Sequence, residues 1–196
     1  MYNKTILAIA LLVSIAVPVA AKPFNHASGE WREYNQDWLA SCPDVIDEDA
    51  TDYYGFSCFA STGSQDLNAA GLPAYKLTLM LNRLTGDIDI AVTEAADGVE
   101  VDQNRSLVMT FTGEPPIRLD FIEDLQTRYN TINVFYVAEP DRSAALLEQM
   151  KSRNAVTVAF PISGGDQKVR EVRFSLRGTI ASLDFMTTYA RRVADY

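Results

Sequence analysis

The chain is short of nearly every residue type from which enzymes build nucleophilic or metal centres. Its 196 residues include one histidine, His26, and two cysteines, Cys42 and Cys58. A serine–histidine–carboxylate triad needs its base held within hydrogen-bond reach of the nucleophile. His26 instead falls in a polar, small-residue stretch, 22–29, that reads as a loose leader. A zinc site asks for several histidine or cysteine ligands, and two thiols without histidines supply a poor one. Lysine is scarce: beyond the N-terminal segment only Lys22, Lys76, Lys151 and Lys168 remain, none of them in a serine–lysine motif. The adjacent glycines Gly164 and Gly165 suit a hairpin turn rather than a phosphate-binding loop. Nothing in the sequence asks for a cofactor or a metal.

Positive charge is in deficit too. Lys and Arg number 17 against 26 Asp and Glu, giving a formal charge of −9. Phosphate backbones and anionic lipid surfaces repel such a chain, so nucleic-acid binding is not expected; partners with basic or neutral surfaces fit better. Beyond residue 21 no apolar run reaches the roughly 20 residues a membrane helix needs. A transmembrane span in the mature chain is therefore not expected.

What is present starts at the N-terminus. Lys4 is followed by an apolar run over 6–17, by Pro18, and by the small residues Ala20 and Ala21. These are the three parts of a secretory signal peptide, with cleavage expected after Ala21. An uncleaved anchor would need a longer apolar run. No cysteine follows the cut directly, so a lipid anchor is not expected. Residues 22–196 are long enough for one domain with a sizeable core. Cleavage removes only Lys4 among charged side chains, leaving the mature part more acidic still. A periplasmic or secreted location follows, and in that oxidising setting Cys42 and Cys58 are expected to form a disulfide. Closing so short a loop is worth about 3 kcal/mol by chain entropy.

Aromatic and acidic residues surround this bridge. Trp31, Tyr53 and Tyr54 are candidate binding residues, a platform for sugar or peptide. Trp38, four residues before Cys42, is expected to pack on the bridge in the core. Tyr53 and Tyr54 are adjacent, so in a strand they face opposite ways. The loop 43–52 carries Asp44, Asp47, Glu48, Asp49 and Asp52. An EF-hand starting at Asp47 would need glycine at its sixth position and glutamate at its twelfth, where this chain has Asp52 and Cys58. A glycosidase would need two carboxylates facing across a cleft, which spacing alone does not provide. The loop reads as solvated, with an irregular cation site left open. Asn104-Arg105-Ser106 is a glycosylation sequon that matters only in a eukaryotic secretory route.

Period-two alternation runs through the middle of the chain. Tyr75, Leu77, Leu79 and Leu81 fall on one face of a strand over 74–82, and Ile88, Ile90 and Val92 on one over 87–93, with Thr85-Gly86 as the hairpin turn between them. Leu107, Met109 and Phe111 point inward from a strand over 106–112. Strands over 53–60, 117–121 and 131–137 are expected as well, the last with Ile132, Val134 and Tyr136 sharing a face. Residues 61–73 read as a linker rich in turn chemistry. Asp141 is the expected N-cap of a helix over 142–153 whose stripe is Leu146, Leu147 and Met150. Two strands, 156–162 and 168–176, then meet at Gly164-Gly165. A final helix over 179–194 gathers Ile180, Leu183, Met186, Ala190 and Val193 near one face. Alternation of this kind favours antiparallel sheets. The fold class expected is mainly β, an antiparallel β-sandwich with one short helix and a C-terminal helix.

The order of these features resembles the invasion-associated locus B family. The resemblance is carried by Trp38, Cys42 and Cys58, and most of all by residues 145–150, 156–160 and Val172-Arg173-Phe174-Ser175-Leu176-Arg177-Gly178 running into Ala181 and Leu183. It covers most of the mature chain; Trp31 and the acidic loop have no counterpart in it. The resemblance implies a bacterial envelope protein with a β-sandwich fold and brings no catalytic residues. It gives Gly178 a backbone role in the turn from strand to last helix. The leading expectation is a non-enzymatic protein that binds another protein or an envelope component. A carboxylate- or calcium-dependent carbohydrate-active enzyme and a carrier of a small apolar ligand are the alternatives.

Overall fold

The computed structural model describes residues 22–44, 56–82, 85–128, 131, 133–165 and 168–194. The signal-peptide expectation, Tyr53, Tyr54 and all of the acidic loop beyond Asp44 lie outside these residues.

Among the described residues two antiparallel sheets and two helices form a sandwich-like, mainly β fold. In chain order the strands are β1 (Phe24–His26), β2 (Glu30–Asn35), β3 (Trp38–Pro43), β4 (Phe56–Gly63), β5 (Tyr75–Asn82), β6 (Ile88–Glu94), β7 (Leu107–Phe111), β8 (Ile117–Leu119), β9 (Leu125–Gln126) and β10 (Val134–Val137), followed by β11 (Ala155–Pro161) and β12 (Val169–Ser175). Helix α1 (Pro140–Ser152) precedes β11, and α2 (Thr179–Ala194) follows β12. The larger sheet runs β1-β2-β3-β4-β5-β6-β10-β9, and the smaller runs β12-β11-β7-β8.

The alternation explains which faces meet. Tyr75, Leu77 and Leu79 of β5 are buried, and so are Leu107, Met109 and Phe111 of β7, as the period-two pattern predicts. Val156, Val158 and Phe160 of β11 and Val172 and Phe174 of β12 complete the smaller sheet's inner face. All of these belong to one continuous core. Helix α2 packs on β2, β3 and β4, and α1 packs on β6 and β10. Among the described residues no helix is long and apolar enough to cross a membrane.

Several expectations are corrected. The supposed leader is a strand: β1 pairs with β2, placing His26 opposite Glu30. Backbone pairing does not need apolar side chains, so a polar edge strand leaves little trace in composition. In β10 the core-facing residues are Phe135 and Val137, while Tyr136 joins Met80 and Ala91 in a second cluster, with Val134 packed against it. Register decides this, because Phe135 stands opposite Val92, whose side chain already faces the core. Ile132 lies outside the described residues. Glu139 occupies the N-cap of α1, and Pro140 opens the helix, where its missing N–H costs nothing. Asp141 therefore sits in the first turn, where the helix dipole favours an acid. On α2 the buried set includes Ser182, Leu183, Phe185 and Met186, and Ile180 is exposed.

The linker expected over 61–73 is also more ordered than its composition suggests. Strand β4 extends to Gly63, and the 64–74 loop is tied by its own polar side chains. Ser64 donates from its amide to the Tyr75 carbonyl, and its Oγ accepts the Tyr75 N–H at 3.1 Å. Asn68 Oδ1 accepts from the amides of Ala70 and Leu72, and its Nδ2 donates to the Ala95 carbonyl.

Candidate functional site

Of the residues singled out around the disulfide, Cys42, Cys58, Trp38 and Trp31 are described, and each packs against the rest of the fold. Cys42 and Cys58 are bonded, joining neighbouring strands β3 and β4. Both are buried beneath α2, with Cys58 Sγ 3.4 Å from the Met186 carbonyl oxygen. Trp38 is 1% exposed, and its indole N–H donates to the Ser175 carbonyl at 3.1 Å. Trp31, expected as a binding residue, is half-buried. Its ring stands 5.6 Å from Tyr189 of α2, which in turn stacks on Phe185 at 4.4 Å. Trp31 thus helps seat the last helix on β2.

His26 meets a serine, but in a turn. Its Nδ1 lies 2.7 Å from Ser28 Oγ and accepts the Ser28 amide, while Ser28 Oγ also accepts from Arg32. A cation beside the hydroxyl is not the carboxylate that orients a catalytic histidine. Among the described residues no group of three or more His, Cys, Asp or Glu side chains is placed to hold a metal ion. Asp44 accepts a hydrogen bond from the Asn25 side chain.

The concave site lies elsewhere, at the end of the sandwich where β4 leaves and β5 begins. A cleft of about 620 Å³ opens between the 64–74 loop, the 96–100 turn after β6, and the tip of the β11–β12 hairpin. Tyr75 and Ile162 line its inner part, Asp66 and Leu67 one wall, Asp97 and Glu100 another. Lys168, Val169 and Arg170 come from the start of β12, and Arg170 pairs with Asp66. Leu67, Leu72 and Val169 are exposed large apolar side chains at or next to this mouth.

Two buried ionisable groups back the cleft. Glu94 stands opposite Tyr75 across β6 and β5, on the core-facing side, and is 5% exposed. Burial pushes its carboxyl up from the ordinary 4.5, against the Ala96 N–H that donates to Oε1 at 2.6 Å and pulls it down. Burial, and then the Glu94 charge, push the Tyr75 hydroxyl up from 10.0. The Tyr75 ring is held 5.0 Å from that of Phe160.

Sequence reasoning missed this cleft because its walls come from three segments far apart in the chain. One local signal existed: Leu67 and Leu72 stand in a stretch whose turn chemistry gives no reason for exposed leucines.

No family model matches the chain, and no curated protein does. Among solved structures it is similar to the crystal structure of invasion associated protein B from Bartonella henselae. The TM-score is 0.54 and the identity 14%, with 82% of this chain and 98% of that one covered. At that identity the likeness is one of fold. It agrees with the resemblance carried by Trp38, the two cysteines and the segment ending at Gly178, as a distant structural relationship.

Proposed function

We propose that the chain is an exported bacterial envelope protein of the invasion-associated locus B kind. In this reading it acts by binding, without catalysis of its own, and holds another protein or an envelope component at the cleft beside β12. The cleft carries the proposal: an open concavity of mixed charge, lined by the exposed Leu67 and Val169, on loops braced by the double sheet. Binding surfaces concentrate on loops positioned in this way. Export is supported by the Lys4–Ala21 signal pattern and by the buried disulfide, which persists in an oxidising compartment.

The test is site-specific photocrosslinking in the native cell, with the probe residue at Leu67 and a control probe at the exposed Ile122. A reproducible adduct from position 67 and none from 122 is the expected result. Adducts from neither position, under several growth conditions, would remove the reading.

One observation favours a carboxylate-dependent enzyme as the second reading. Glu94 is buried beside two cleft-lining residues with its proton held more tightly than usual, as a general acid requires. Saturable hydrolysis of a glycan by the purified protein, lost in Glu94→Gln, would put this reading first.

A further inference from the structure

The smaller sheet ends on a strand whose outer edge is open beside the cleft. Ile162 donates to the Lys168 carbonyl and Leu176 to the Asn154 carbonyl, each at 2.9 Å, in the register that pairs β11 with β12. Such bonds recur at every second residue of an antiparallel pair. Arg170, Val172 and Phe174 therefore turn their N–H and C=O groups toward β11, as do the Lys168 carbonyl and the Leu176 amide, whereas the Lys168 amide bonds to Gly165 and the Leu176 carbonyl to Thr179. Val169, Glu171, Arg173 and Ser175 turn theirs outward. The Trp38 indole takes the Ser175 carbonyl. Among the described residues no hydrogen bond reaches the outward backbone groups of Val169, Glu171 or Arg173.

We propose that an extended segment of a partner protein adds to the free edge of β12 along Val169–Arg173 and places an apolar side chain, next to a lysine or arginine, in the cleft. This rests on the binding reading above and names the chemistry of its partner. Strand addition draws affinity from backbone hydrogen bonds and specificity from side-chain pockets at alternate positions. Here the edge and the pocket are contiguous, because Val169 belongs to both.

Three observations favour this occupant. Leu67 and Val169, both in the lining, are 61% and 50% exposed, and exposed apolar side chains with a charged rim mark sites of protein association. Asp97 and Glu100 form no ion pair among the described residues, whereas Arg170 is already paired with Asp66. Lys168 is the one lining cation outside an ion pair among the described residues, so the acids of the lining outnumber its cations and favour a basic side chain at close range, and the chain's charge of −9 favours one at long range. A second copy of the chain is disfavoured. Two β12 edges meeting antiparallel about Glu171 would set that carboxylate against its own copy, a destabilising like-charge pair.

The experiment pans the mature protein, residues 22–196, against a phage-displayed library of random extended peptides. Expected are peptides with alternating apolar positions and a lysine or arginine beside one of them. The synthetic form of such a peptide slows amide hydrogen exchange at Val169, Glu171 and Arg173. Val169→Pro removes an outward N–H and leaves the bonds to β11 in place; Glu100→Lys reverses one wall charge. Each weakens binding at least tenfold, with folding checked by circular dichroism, and Glu100→Lys stands alone if the proline variant misfolds. No enrichment, acidic winners, binding indifferent to Glu100→Lys, or a dimer of the protein that Val169→Pro dissociates would each overturn the proposal. If the Leu67 crosslink persists while the peptides fail, strand addition falls and the binding reading stands. If both fail, the binding reading falls with it.

Discussion

The carbonyl oxygen of Asn35 occupies the space that a side chain on Gly178 would need: a Cβ built there would stand 1.8 Å from it. Gly178 also has φ +102°, a backbone conformation open mainly to glycine. The contact locks the β2–β3 turn onto the β12–α2 junction. Neighbouring bonds reinforce it: Trp38 to the Ser175 carbonyl, the Asp37 amide to the Arg177 carbonyl, and Ser175 Oγ to Asp37 Oδ2. This corner decides how α2 leaves the smaller sheet and comes to lie over the larger one.

Gly178→Ala is therefore expected to cost about 3 kcal/mol or more, since it adds a backbone clash to a strained φ. For a domain of this size that lowers the melting temperature by roughly 6–12 °C. The comparison is Gly113→Ala, where φ is +85° and a Cβ meets nothing within 4 Å; there only the backbone strain remains, about 1 kcal/mol. Equal losses in thermal melts of the two variants would show that the Asn35 contact yields.

Replacing Cys42 and Cys58 together by alanine is expected to lower stability by about 3 kcal/mol, through loop entropy returned to the unfolded chain. Denaturant midpoints measure it. Because both sulfurs lie under α2, a mild thiol reductant should open the bridge in native protein far more slowly than in denaturant. Native reduction as fast as that of the unfolded chain would mean that α2 does not shield it.

Glu94 sets a pH dependence of defined sign. Its folded-state pKa is raised above the ordinary 4.5, mainly by burial. Its contribution to stability is thus full below the unfolded value and is lost as pH rises through the folded value. Glu94→Gln keeps an acceptor for the Ala96 amide and cannot ionise. Relative to wild type the variant should gain stability between acid and neutral pH, read as melting temperature at each pH. A wild-type protein that gains on the variant over that interval would reverse the assignment.

Much of the architecture was legible without coordinates, because the cause was local. Leu77 and Leu79, or Leu107 and Met109, must share a face at any strand spacing of two, and water drives that face inward. Leu146, Leu147 and Met150 likewise had to share a helix stripe. Where both faces of a strand carry apolar groups, as in β10, alternation does not choose between them, and pairing with Val92 selects Phe135 over Tyr136. The contact of Trp31 with Tyr189 was not legible, because nothing in its own segment announces a residue that follows it by most of the chain's length.

By itself the sequence determined the β-rich class, the β5–β6 and β11–β12 hairpins, the two helices and the pairing of its only two cysteines, but not the β1–β2–β3 meander. Each follows from side-chain periodicity, turn chemistry or simple arithmetic within the chain. Tertiary structure alone decided that Asp66, Asp97 and Lys168 share a cleft, that Glu94 is buried behind it, and that β12 keeps an open edge beside it. Those outcomes depend on which strands become neighbours and in what register. Long-range contacts of that kind arise from packing two whole sheets together, and no local pattern carries them.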